Sequence, residues 1–271
     1  MRGNDARRDL TLLMDAAKAA GRIAKRYFRQ SPASWDKGGG AGPVTEADLA
    51  IDRMLKAELL AARPDYGWLS EESDDDPARL GAEYTFIVDP IDGTRAFVAG
   101  QDTFAHSIAV ARNGVAVVGV VFLPIRDFLF AGAIEQGATL NGAPIRATTT
   151  HSNAQPHLLT AKKNLAPHHW PGGVPTVQRS YRPSLAYRLA LVGSGRFDGM
   201  VTFGQTWEWD VAAGTVIAIE AGTIVTDSTG APVTFNKPIP ATDGMIAAVP
   251  TLHTDLLARA TGNQNATSGT A

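Results

Sequence analysis

FIVDPIDGTRAF, residues 86–97, sets two aspartates, Asp89 and Asp92, on either side of Pro90-Ile91. The run Phe86-Ile87-Val88 ahead of them has the composition of a short buried strand. Gly93-Thr94 follows at once. Two carboxylates about 4 Å apart repel by about 4 kcal/mol at an effective dielectric near 20. A solvated turn does not account for acids wedged between a core strand and Pro90-Ile91. Something elsewhere in the chain, or bound to it, must offset the repulsion.

Outward from this stretch the pattern changes twice. On the N-terminal side, residues 8–29 carry Leu12, Leu13, Ala16, Ala17, Ala20, Ile23, Ala24, Tyr27 and Phe28 at helical spacing. SPASWDKGGGAGP (31–43) breaks that helix, as a mobile loop or as a plain linker. A second helix is predicted in VTEADLAIDRMLKAELLAARP (44–64), capped by Thr45 with Asp48 three residues on and closed by Pro64. On the C-terminal side, TFAHSIAVA, VAVVGVVFL and FLFAGAIE are β-rich, and Asn113-Gly114 marks a hairpin between the first two. These strands predict an antiparallel meander against a helical layer. Beyond residue 146, short strands (HLLTAKK, VQRSY, FDGMVTF) alternate with helices (SLAYRLALVGSG, DVAAGTVIAIEAG), the order of an α/β half. The organisation expected is an α+β half over 1–145, an α/β half over 146–262 and a disordered polar tail over 263–271.

Composition narrows the function. The 271 residues suffice for one large domain or two packed halves, and 44% hydrophobic with 19% charged is ordinary for a globular chain. A net charge of -2 gives no basic field for a nucleic-acid polymer. The absence of cysteine removes thiolate catalysis and cysteine-held metals. LTLLM after the first arginines is too short for a signal-peptide core, and no apolar run approaches a membrane span, so a cytoplasmic, soluble protein is expected. There is no G-x-x-x-x-G-K-[ST] and no G-x-S-x-G, which sets aside P-loop and serine-hydrolase chemistry. His168-His169 are adjacent in a proline-rich segment, the wrong spacing for zinc.

Acids accumulate in four places. Asp48 reads by itself as a capping-box acid. Glu71-Glu72 lead an acidic run whose later members, Asp74 to Asp76, read as solvated loop. Asp89 and Asp92 form the third group. Asp210, in TWEWDVAAG, reads alone as a helix cap. Together they are the hard oxygen donors that Mg²⁺ prefers, and a cation would cancel their repulsion. The N–H groups of Gly93 and Thr94 beside them could receive an anion. Carboxylate-held metal next to such N–H groups describes a phosphate site.

VTEAD (44–48), EES (71–73), DPIDGT (89–94), TLNGAPI (139–145) and WDVAAG (209–214) occur in the order and spacing that resemble the inositol monophosphatase family of Mg²⁺-dependent, lithium-sensitive phosphatases. The resemblance spans residues 10 to 260 or so. It implies a layered α-β-α-β-α sandwich, commonly a homodimer, acting on a small phosphorylated metabolite with two or three Mg²⁺ ions. Glu71 and Asp89, with the Ile91 carbonyl, would hold the first ion, and Asp89, Asp92 and Asp210 the second. Gly93 and Thr94 would hold the phosphate, and Asp48 with the Thr94 hydroxyl would orient water. The loop carrying Lys37 resembles a flap over a third ion. Family members that process inositol carry Gly where Ser70 stands and a glutamate where Thr202 or Phe203 stands. TWEWDVAAG and SLAYRLALVGSGRFD resemble the branch acting on adenosine 3',5'-bisphosphate, with Trp207, Ser184, Arg188 and Arg182 as candidate substrate contacts. Histidinol phosphate is a further substrate, and a non-catalytic phosphometabolite-binding protein of the same fold is the rival reading.

Overall fold

The computed structural model of the chain describes residues 3–38, 42–148 and 155–263. Helix α1 (Gly3–Tyr27) follows the predicted stripe but starts earlier. Leu13, Ala16, Ala17, Ala20 and Ala24 recur at three- or four-residue spacing and are all buried. The segment read as a loop or linker holds an antiparallel ribbon, β1 (Ser34–Asp36) and β2 (Pro43–Thr45), and residues 39–41 between them lie outside the described ones. Helix α2 (Glu46–Ala62) begins with the predicted cap. Thr45 Oγ1 accepts from the N–H groups of Ala47 and Asp48, and the Asp48 carboxylate accepts from the Thr45 N–H.

Seven strands then form one sheet in chain order: β3 (Gly67–Ser70), β4 (Tyr84–Asp92), β5 (Ala105–Arg112), β6 (Val115–Leu123), β7 (Phe128–Ala133), β8 (Gly137–Leu140) and β9 (Ala143–Ile145). From β4 onward it is the predicted antiparallel meander, while β3 joins β4 in parallel. The strand read as Phe86–Asp89 is longer at both ends and runs on through Pro90 to Asp92. A short helix, α3 (Thr94–Val98), interrupts the meander between β4 and β5.

The second sheet is mixed, with β11 (Gln178–Ser180), β10 (His157–Leu159), β12 (Gly199–Trp207), β14 (Ala241–Ala248) and β13 (Ile224–Thr226) in that spatial order. The predicted helices appear as α4 (Leu185–Gly193) and α5 (Glu208–Glu220). Sequence reasoning did not find β3, β13, β14 or the last helix, α6 (Pro250–Thr261). Pro250 in its first turn and the left-handed Gly262 after its end were legible signals for α6.

Burial separates the layers. Along β4, Phe86 and Val88 pack with α1 and α2, while Ile87 packs with α4 and α5. The α4–α5 layer shares its cluster with Leu159, Met200, Met245 and Ala247 of the second sheet. The far face of that sheet, Leu158, Val201, Ile246 and Ala248, packs on Leu252 and Leu256 of α6. The order is therefore helix, sheet, helix, sheet, helix. In the middle layer α5 is buried from Val211 to Ala218, and it lies so close to β6 that a Cβ on Gly119 would stand 2.3 Å from the Ala213 carbonyl. From residue 264 the predicted tail lies outside the described residues. No helix among the described residues is long and apolar enough to cross a membrane.

Candidate active site

A regular strand sends residues three apart to opposite faces. Asp89 and Asp92 nevertheless share one. Along β4 and β5 the register passes from Asp89 opposite Ser107 to Asp92 opposite Ala105, so Pro90 and Ile91 together face the single residue His106. This is a β-bulge, one of the few places where a proline is tolerated inside a sheet. The extra residue returns Asp92 to the face of Asp89 and sends the Ile91 side chain into the cluster with α1 and α2. The Asp89 carboxylate accepts from the Ile91 N–H at 2.9 Å, which fixes the turn locally.

On the shared face the acids converge. Glu71, from the turn after β3, Asp89 from β4 and Asp210 from the first turn of α5 each bring a carboxylate oxygen to within 4.8 Å of the others. Asp89 is 1% exposed. Burial, reinforced by the charges of Glu71, Asp92 and Asp210, holds its pKa well above the ordinary carboxylate value. Asp210 is raised in the same way, by burial and then by Asp92 and Glu71. Burial also lifts Asp92 to about 6, against the bonds it accepts from Ser184 Oγ (2.6 Å) and the Ala186 N–H (2.7 Å). The converging donors are all carboxylate oxygens, and their negative charge is crowded. That fits a hard divalent cation.

Asp48 serves two elements at once. Its Oδ2 completes the α2 capping box, and its Oδ1 lies 3.4 Å from the Thr94 hydroxyl. That hydroxyl also donates to the Ile91 carbonyl at 3.0 Å. Burial raises Asp48 to about 6. Gly93, at φ 95°, turns the chain from the end of β4 into α3, a conformation that costs an L-residue about 1–2 kcal/mol. The N–H groups opening α3 have no carbonyl inside the helix to bond and stand beside the acids.

Lys37, in the ribbon of β1 and β2, reaches over this cluster. Its ammonium donates to Glu71 Oε1 (2.8 Å) and Glu72 Oε1 (2.6 Å). Burial pulls the lysine pKa down, but Glu71 and Glu72 outweigh it and leave the ammonium above its ordinary value. Burial pushes Glu72 up to about 7. Ser70, where the family's inositol-processing members carry Gly, donates to Asp52 and accepts from the Glu72 N–H, while Ser73 donates to the other Asp52 oxygen. The turn that presents Glu71 is thereby tied to α2.

Lys37, Glu71, Asp89, Asp92, Thr94 and Asp210 line a cleft of about 450 Å³ that also has an aromatic wall, while Asp48 lies behind Thr94. Trp207 and Trp209 stack with ring centres 5.0 Å apart, and Tyr181 also lines the cleft. Of the candidate substrate contacts, Trp207 lines the cleft. Ser184 and Arg188 stand behind its wall. Ser184 caps α4 and bonds Asp92, while the Arg188 guanidinium lies 4.4 Å from the Tyr181 ring centre and donates to the Arg182 carbonyl. The Arg182 side chain turns back to the Tyr181 carbonyl. Phe203 stacks on His169 in the outermost cluster, away from the acids. Sequence reasoning missed Trp209, Tyr181 and Arg95 in the cleft, and Ser107, whose hydroxyl donates to the Trp209 carbonyl beside Asp210.

Known proteins resemble the chain in sequence and in fold. The family model for the inositol monophosphatase family matches residues 5–265. The chain belongs to the inositol monophosphatase family. An inositol-1-monophosphatase of Rhizobium meliloti is 36% identical over 237 residues, covering 82% of this chain and 86% of the relative. Nus factor SuhB of Escherichia coli K12 is 31% identical over 230 residues, covering 82% and 85%. Among solved structures, an IMPase of Thermotoga maritima superposes with a TM-score of 0.81 at 26% identity over 94% of this chain and 97% of that one. The extragenic suppressor protein suhB of Bartonella henselae gives 0.80 at 29% identity over 93% and 98%. Membership places the chain in a family of phosphatases, and the likeness to solved structures bears out the layered sandwich.

Proposed function

We propose that the chain is a Mg²⁺-dependent, lithium-sensitive phosphomonoesterase. The observation that carries this reading is the convergence of Glu71, Asp89 and Asp210 next to the Asp48–Thr94 pair and the left-handed Gly93. Glu71, Asp89, the Ile91 carbonyl, Asp92 and Asp210 would hold the cations. Bound there, Mg²⁺ supplies Lewis-acid polarisation of the phosphoryl group and neutralises charge on the attacking and leaving oxygens. The N–H groups of Gly93 and Thr94 receive the phosphate oxygens. The Thr94 hydroxyl donates inward, so its lone pairs face the cleft and accept from the attacking water. Turning its own proton from the Ile91 carbonyl to Asp48 Oδ1, 3.4 Å away, the Thr94 hydroxyl would take a proton from the water and hand one to Asp48, which Thr45 holds in place.

The aromatic wall favours a substrate whose alcohol carries a flat ring. Trp207 and Trp209 offer a stacking face, and neither Thr202 nor Phe203 supplies the carboxylate of the family's polyol-binding glutamate. We therefore place adenosine 3',5'-bisphosphate ahead of inositol 1-phosphate, with histidinol phosphate as the other ring-bearing choice. The test is phosphate release from these three compounds, each with Mg²⁺, with Mg²⁺ plus lithium, and with chelator. Magnesium-dependent, lithium-inhibited release with a preference for a ring-bearing compound is expected. A preference for inositol 1-phosphate overturns the substrate reading. No release from any of them by folded protein that binds Mg²⁺ favours the non-catalytic alternative.

A further inference from the structure

His106 is the one residue that β5 sets against the two-residue bulge at Pro90-Ile91. Its neighbours Ala105 and Ser107 face the acids and α5, so the imidazole turns to the opposite face, toward α1. It is fully buried there, between the rings of Phe104 and Phe122. Its Nδ1 is hydrogen-bonded to the Pro90 carbonyl, the main-chain acceptor that the bulge takes out of the ladder. A carbonyl can only accept, so Nδ1 carries the proton and Nε2 is left with a lone pair. Nε2 is buried and has no hydrogen-bond partner.

That second nitrogen is informative. A pocket of aromatic rings would suit a leucine or valine, which leaves no polar atom unpaired. A histidine is unfavourable there unless its other nitrogen does something an apolar side chain cannot. Burial lowers its pKa to about 4, so near neutrality the ring is uncharged, as the one-proton arrangement requires. The imidazole touches neither the acids nor the cleft. What it controls is the peptide between Asp89 and Ile91, and through it the facing of both aspartates and the Ile91 carbonyl.

We propose that His106 is a positioning residue for the cation site: its Nδ1–H bond to Pro90 locks the bulge that turns Asp89, the Ile91 carbonyl and Asp92 to that site. The inference rests on the cation reading above. It commits to a single atom, the δ-position N–H, rather than to the ring's bulk.

Two substitutions separate these. His106→Leu fills the aromatic pocket without a donor. His106→Asn is smaller, but its Nδ2 can stand where Nδ1 stands. Mg²⁺ binding to the full chain is measured by calorimetry, alongside the thermal midpoint of the metal-free protein. The leucine variant loses the unpaired nitrogen but strands the buried Pro90 carbonyl, two opposing effects, so it is expected to melt near the parent and above the asparagine variant, yet to bind Mg²⁺ about tenfold more weakly. The asparagine variant is expected to melt lower but to bind within about threefold of the parent. A merely structural role would order affinity as it orders the midpoint, so a leucine variant that binds like the parent, or an asparagine variant weaker than it, overturns the proposal. If the leucine variant does not fold, the asparagine affinity alone decides, and a tenfold loss there overturns it too. Failure of the unsubstituted chain to bind Mg²⁺ would instead strike the cation reading itself.

Discussion

Asp48→Asn separates chemistry from stability at one atom pair. Asparagine keeps an oxygen for the Thr45 N–H that Asp48 now accepts, so the α2 cap survives. It loses the charge and the proton-accepting oxygen facing Thr94. In the parent, burial raises Asp48 from 3.8 to about 6. A raised carboxyl binds its proton more tightly folded than unfolded. Its effect on stability is therefore absent below the unfolded value near pH 4, grows as a penalty as pH rises through about 6, and is constant above that. Two units at about 1.4 kcal/mol each give about 3 kcal/mol. Replacing a charge favourable to the helix N-terminus gives back up to about 1 kcal/mol. The variant is thus expected to be about 2 kcal/mol more stable than the parent at pH 8 without metal, or about 4–8 °C in a chain of this size, with no gain at pH 4. Turnover with Mg²⁺ at pH 8 should fall about 10²–10⁴-fold while Mg²⁺ affinity changes little. Calorimetric melts at both pH values and a phosphate-release assay check all three. Equal melting of parent and variant at pH 8 would refute the burial argument, and near-parental turnover would refute the role of Asp48.

Other outcomes follow from the same geometry. Glu71→Gln and Asp210→Asn should each abolish measurable Mg²⁺ binding in calorimetry, with far-UV circular dichroism unchanged. Ser184→Ala removes both the α4 cap and a donor to Asp92 and should cost about 1–2 kcal/mol in urea unfolding. Gly119→Ala drives a methyl into the Ala213 carbonyl and should cost at least about 1–3 kcal/mol, read as a lowered urea midpoint. Trp207→Ala should raise KM for adenosine 3',5'-bisphosphate about tenfold or more and leave that for inositol 1-phosphate within about threefold; equal effects on both would remove Trp207 from ring stacking.

The acids were legible one by one because charge beside a core strand needs an explanation. Glu71, Asp89 and Asp210, far apart in sequence, bring carboxylate oxygens within 4.8 Å of one another, the convergence on which the proposed cation site rests. The capping reading of Asp48 holds through its Oδ2, while its Oδ1 faces the Thr94 hydroxyl, the contact on which its proposed role in turnover rests. Asp210 read alone as a helix cap, yet Trp207 holds that position and Asp210 sits in the first turn. The bulge was not legible. It depends on the register between β4 and β5, and nothing local to DPID names His106 as its partner. The aromatic wall was half-read for a similar reason: Tyr181 reaches the cleft from a loop whose position is set by sheet order rather than by neighbours in sequence. Among the missed strands, β14 has three alanines, an aspartate and a glycine among its eight residues, so its composition carries little β signal.

Helix α5 has no solvent face from Val211 to Ala218, yet its first turn delivers Asp210 to the cleft. One wall of the cleft is thus anchored in the middle layer, while the Lys37 ribbon on the other side is a short two-stranded hairpin. Opening the α5 end requires parting both sheets, so its amides should exchange with solvent only through whole-molecule unfolding. The ribbon pairs with neither large sheet, so opening it is expected to break only the Lys37 bonds to Glu71 and Glu72 and its local contacts. Entry and exit at the site are then properties of the Lys37 side, and cation binding should slow exchange in the ribbon far more than in α5.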